Sequence, residues 1–136
     1  VDLWSATSYK ALRQDAMSVE RFNRLHPTEE RQVSLVAQLL GESDSPVIAV
    51  SDFMRIVPEQ IANHVSRPFV SLGTDGVGRS DTRDTLRRYF EIDSAHIVVA
   101  TLNALVGTNG VTSDIVAQAI ATSGIDPDAA HGLVLD

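Results

Sequence analysis

Residues 46–50 read Pro-Val-Ile-Ala-Val, an apolar run with no polar interruption. A strand with one wet face alternates apolar and polar residues. A run without alternation suits a strand covered on both faces, as in a parallel sheet. Ser51-Asp52 ends the run. Pro58 fits the first turn of a helix continuing through Gln60, Ile61 and His64. Arg67 to Leu72 then reads as another strand. Short apolar strands alternating with helices predict an α/β chain with a mostly parallel sheet.

The flanks extend this pattern. Asp2 to Thr7, with Leu3, Trp4 and Ala6, reads as a short strand, and Ser8 suits an N-cap. Leu12, Ala16, Val19 and Phe22 recur at helical spacing until Pro27 stops the helix near His26. A second helix carries Val33, Val36, Ala37 and Leu40 and ends at Gly41, with a polar turn at Glu42 to Ser45. After the strand at 67–72, Ser80 or Asp81 is expected to cap a helix running to about Phe90, with Leu86 and Phe90 inward. The apolar stretch from Ile97 to Leu105 favours a helix on length. Gly107 to Gly110 reads as a turn. A helix with Ile115, Val116, Ala119 and Ile120 on one face follows Val111-Thr112-Ser113 and ends at Gly124, and Asp126-Pro127 opens a last turn.

The predicted order is β-α-α-β-α-β-α followed by helices, in a three-layer α/β/α arrangement. Three strands make a thin sheet, and the chain of 136 residues opens without Met inside an apolar stretch. The expectation is therefore a single, incomplete domain over 1–136, with its first strand upstream of Val1 and with 94–136 as a mainly helical extension.

At 43% hydrophobic residues the chain can bury a core. It has no cysteine, which removes disulfides, thiolate nucleophiles and Zn–thiolate sites. A net charge of −7 argues against nucleic acid as a partner. No apolar run approaches the roughly 20 residues of a membrane span, and no signal peptide is visible.

The most unusual segment is Gly73-Thr74-Asp75-Gly76-Val77-Gly78-Arg79-Ser80-Asp81. A strand, a glycine loop and a capped helix form the junction at which open α/β sheets build sites. The glycines invite a phosphate. The spacing is G-x-x-G-x-G, however, not the dinucleotide G-x-G-x-x-G, and Arg79-Ser80 does not supply the Gly-Lys-Ser/Thr of a P-loop. Asp75 and Asp81 would repel an anion. A tight turn whose glycines let another domain or chain pack closely is the favoured reading. Arg79, Arg83, Arg87 and Arg88, interleaved with Asp81 and Asp84, read as a solvated helix face or as an inter-domain clamp. His26, His64, His96 and His131 show no metal-ligand spacing. His26 suits a helix C-terminus. No catalytic, cofactor-binding or metal-binding residue is assigned.

Five segments in register carry a resemblance. They are Leu3-Trp4-Ser5-Ala6-Thr7-Ser8-Tyr9, Glu20-Arg21-Phe22-Asn23-Arg24-Leu25-His26-Pro27, Ser51-Asp52-Phe53-Met54-Arg55, Pro58-Glu59-Gln60-Ile61, and Leu72 through Arg83 with its glycine loop. Together they resemble the C-terminal region of the homodimeric, bacterial type of pyruvate dehydrogenase decarboxylase, in the transketolase superfamily. Two positions depart from the family pattern: Val77 stands where Phe is usual, and Phe22 where Trp is frequent.

The resemblance implies a large cytoplasmic homodimer that decarboxylates pyruvate on thiamine diphosphate with Mg²⁺. That enzyme passes the acetyl group to the lipoyl arm of an acetyltransferase partner. It also implies that cofactor and metal belong to upstream domains, with none expected in this stretch. The third domain is then structural and dimer-stabilising, or, as an alternative, a non-catalytic interaction or scaffold module. On this reading Gly73, Thr74, Asp75, Gly76, Gly78, Arg79, Ser80 and Asp81 form a domain or subunit contact, with Asp75 and Arg79 bonding across it. Glu20, Arg21, Asn23, His26, Pro27, Ser51, Asp52, Glu59 and Gln60 are further motif positions.

Overall fold

A computed structural model describes residues 1–41, 43–108 and 110–131. Glu42 of the expected polar turn, Asn109 of the 107–110 turn and the tail beyond His131 lie outside them. Among the described residues, six helices and two strands follow in the order α1 (Tyr9–Leu25), α2 (Leu35–Leu40), β1 (Val47–Val50), α3 (Ile56–Glu59), a 3-10 turn (Ala62–His64), β2 (Phe69–Leu72), α4 (Arg83–Tyr89), α5 (Ser94–Ala104) and α6 (Ser113–Thr122).

The strands pair in parallel, from Val47 opposite Phe69 to Val50 opposite Leu72. The expected α/β fold is present. Residues 2–7 do not form the expected strand. They are exposed and carry no regular structure, because among the described residues no third strand offers them a ladder. The expected helix through Pro58 and His64 is split. It is one α-turn, with Pro58 buried near its start where a missing N–H costs nothing, followed by the 3-10 turn.

Side-chain caps set most helix starts. The Ser8 hydroxyl accepts the Ala11 N–H at 3.2 Å, and Ser34 accepts the Ala37 N–H at 3.4 Å. Val33 therefore lies outside α2 and is exposed instead of facing inward. α4 is capped by neither Ser80 nor Asp81. The Asp81 carboxylate accepts the neighbouring Thr82 N–H, so the Thr82 hydroxyl is left to accept the Thr85 N–H at 3.3 Å. Gly41 ends α2 at φ 64°. α4 ends with Glu91 at φ 58°, a left-handed residue where glycine is usual, and α6 ends with Gly124 at the same angle.

Ala16 of α1, Val36 of α2 and Ile61 form the best-buried cluster, with Tyr9, Leu12, Leu40, Val65 and Phe69 packed around it. Helix α5 lies against both strands, and α6 packs on α5.

Two arginines tie these elements together. Arg67 donates to the Leu40 and Ser45 carbonyls at 2.9 and 2.7 Å, anchoring the end of α2 beside β2. Arg88 donates to the Ser123 and Gly124 carbonyls at 3.2 and 2.6 Å and to the Asp93 carboxylate at 3.2 Å. It thereby latches the C-terminus of α6 to the α4–α5 junction. Asp93 also caps α5, accepting the His96 backbone N–H at 2.9 Å and facing the His96 ring at 2.7 Å. Burial pushes the Asp93 carboxyl up, but the His96 and Arg88 contacts outweigh it and hold the group below the ordinary carboxylate value.

Candidate functional site

Parallel strands end on the same side, so the segments after β1 and β2 emerge together at the carboxyl edge of the sheet. There the sequence puts Ser51-Asp52-Phe53-Met54-Arg55 and the glycine loop, and the two are stitched to each other. Thr74 donates its backbone N–H to the Phe53 carbonyl and its hydroxyl to the Asp52 carbonyl, both at 3.0 Å. One Asp75 carboxylate oxygen accepts the Arg55 backbone N–H and the Arg55 guanidinium Nε–H, each at 3.0 Å. The Ser51 hydroxyl holds the first turn by accepting the Phe53 N–H at 3.0 Å.

Gly73 is required by this stitch. A Cβ at that position would lie 2.5 Å from the Phe53 carbonyl oxygen and 2.8 Å from the Arg55 nitrogen. Gly76 turns the loop at φ 101°. Gly78 has open space around it, and Gly76 through Asp81 are exposed.

Asp75 is thus engaged with Arg55 of its own chain. Arg79 lies over the Tyr89 ring, 4.9 Å from its centroid, and 3.7 Å from Asp81. The glycine-loop residues and Ser51-Asp52 are brought together. Glu59 accepts the Ser71 hydroxyl, and Gln60 donates to the Val57 carbonyl at 3.0 Å, both on the crossover.

The Glu20–Pro27 segment is built around α1 and the strap that follows it. Asn23 pairs with the Gln32 backbone in both directions at 2.9 Å, and Glu20 sits 3.8 Å from His64. His26 caps α1, its Nδ1 lying 3.0 Å from the Phe22 carbonyl and its ring stacked on Phe22 at 4.3 Å. Arg21 and Pro27 are exposed.

Several apolar side chains on and beside the stitched loops are exposed. Phe53 is 69% exposed, and Met54, Ile56 and Val77 are 55–58% exposed. A cavity of about 180 Å³ opens beside them, lined by Arg55, Gly73, Asp75, Tyr89, Phe90 and Glu91 among others. Among the described residues no three His, Asp or Glu side chains gather as a metal site, and no helix is long and apolar enough to cross a membrane.

Sequence reasoning found the loop but not its fastening to 52–55. The signal lay in the five-residue motif after β1, whose exposed apolar residues have no use as turn formers.

Residues 1–93 match the family model described as the transketolase-like TK C-terminal domain. The chain is 45% identical over 133 residues to the pyruvate dehydrogenase E1 component of Pseudomonas aeruginosa, covering 97% of this chain and 15% of that protein. It is 46% identical over 127 residues to the protein of the same name from Cupriavidus necator, covering 93% and 14%. With that of Escherichia coli K12 the identity is 41% over 128 residues, covering 93% and 14%. The chain therefore spans only 14–15% of the length of these relatives.

Proposed function

Given that the chain belongs to the transketolase-like C-terminal domain family, we propose that it serves as the contact-forming third domain of a pyruvate dehydrogenase decarboxylase component. The whole enzyme would be a cytoplasmic homodimer. It would decarboxylate pyruvate on thiamine diphosphate with Mg²⁺ and hand the acetyl group to the lipoyl arm of an acetyltransferase partner. Cofactor and metal would be held by the upstream domains of that enzyme. Residues 94–136 would act as a helical extension of the same domain.

One observation carries the reading: more than 90% of the chain aligns at 41–46% identity with proteins named pyruvate dehydrogenase E1 component. The role of the glycine loop is supported by the apolar rim of Phe53, Met54, Ile56 and Val77 beside it. With the loop already fastened to Arg55, its exposed half from Gly76 to Asp81 would meet a neighbouring domain or subunit.

The test uses the full-length protein with thiamine diphosphate and Mg²⁺. Pyruvate turnover is expected, and the double variant Phe53→Asp, Val77→Asp should lower both turnover and the dimer fraction in sedimentation. Absence of pyruvate turnover in the parent would remove the substrate assignment. Unchanged turnover and dimerisation in the variant would remove the role given to the loop.

A further inference from the structure

A second cleft, of about 530 Å³, lies away from the glycine loop, between the C-terminal half of α1, the strap at 31–34 and the turn at 63–66. Its volume falls in the range of small-molecule sites. The strap has no secondary structure of its own, yet it is fixed at several points. Asn23 clasps the Gln32 backbone, the Asp15 carboxylate accepts the Leu35 N–H at 2.7 Å, and Ser34 is buried while capping α2. The cleft is therefore preformed.

Its charge is unbalanced. The lining holds two guanidiniums, Arg24 and Arg31, against a single acid, Glu20, which faces the His64 ring. Neither Arg24 nor Arg31 has a carboxylate partner or a side-chain hydrogen bond among the described residues. In a chain of net charge −7, two unpaired guanidiniums over an apolar floor that includes Val19 and Val65 form a local positive site. Guanidinium pairs recognise oxyanions in a bidentate way, which exposed surface lysines do not.

We propose that this cleft binds a small organic oxyanion, its carboxylate or phosphate held by Arg24 and Arg31 and its short apolar body on the valine floor. The Glu20-Arg21-Phe22-Asn23-Arg24 motif then has a use separate from the loop contact, since Glu20, Asn23 and Arg24 all line the cleft.

The experiment titrates the full-length protein with citrate and, separately, with inorganic phosphate by calorimetry, at ionic strength matched with chloride. Saturable binding at one site per chain is expected. Citrate binding tighter than phosphate would indicate a carboxylate ligand, and the reverse a phosphate ligand. Arg24→Gln and Arg31→Gln should each weaken the binding roughly tenfold or more, whereas Arg13→Gln, on α1 outside the cleft, should leave it unchanged. Both arginines are exposed on the surface, so the variants should fold, and an unaltered melting curve checks that. No saturable binding of either probe, or binding indifferent to Arg24 and Arg31, would overturn the proposal.

Discussion

At the scale of single residues, the glycine loop contains two glycines with opposite demands. Gly73 touches backbone at 2.5 and 2.8 Å where a Cβ would go, and Gly78 touches nothing. Gly73→Ala should cost about 2 kcal/mol or more, because the obstructing atoms are backbone and cannot rotate away. Gly78→Ala should be close to neutral, and paired thermal melts of the two variants check this contrast. Asp93 gives a pH prediction. Its carboxyl is held below the ordinary value in the folded chain, so it contributes stability above the unfolded value of about 4. That contribution is lost as pH falls through the unfolded and then the folded value. Asp93→Asn, which keeps the cap and removes the charge, should flatten the acid side of a stability–pH curve between about pH 5 and 3. The sequence signalled Gly73 as special by its place after a strand. It could not show which of the three loop glycines meets backbone, because that depends on a segment 18 or more residues earlier.

At the scale of elements, α6 is held by its packing on α5 and by the Arg88 latch on its terminal carbonyls. Arg88→Met keeps the aliphatic stem and removes the donors. It should destabilise by about 1–3 kcal/mol and speed hydrogen exchange in α6 more than in α1, which amide-resolved exchange would detect. Helix periodicity and the two apolar strands were legible, since burial on a helix stripe or on both strand faces leaves a pattern in the residues themselves. Residues 2–7 have strand-forming residues but no strand, because β propensity does not supply a pairing partner. The α4 cap was displaced to Thr82 because three candidate capping residues stood in a row, and geometry chose among them. Arg88 reads, with Arg79, Arg83 and Arg87, as part of a solvated helix face or an inter-domain clamp, and nothing in that run points to the carbonyls at the end of α6 that lie 35 and 36 positions on.

At the scale of the whole molecule, the family was legible because five motifs stand in register. The cleft beside Arg24 and Arg31 was not, since it joins three segments that only folding brings together. The exposed apolar groups also extend beyond the loop rim, with Leu3 97% and Trp4 58% exposed. A 136-residue polypeptide of this sequence alone should therefore self-associate, with an apparent mass in light scattering that rises with concentration. Aspartate at both Phe53 and Trp4 should reduce that rise.

The parallel pairing also constrains the order of events in folding. Val47 meets Phe69, 22 positions on, so the ladder closes a long loop, whereas α1, α5 and α6 need only local contacts. The fastening of Thr74 and Asp75 to residues 52–55 lies just beyond that ladder. The glycine loop should therefore acquire its shape only after the sheet has closed, so Gly73→Ala should speed unfolding and leave the refolding rate nearly unchanged.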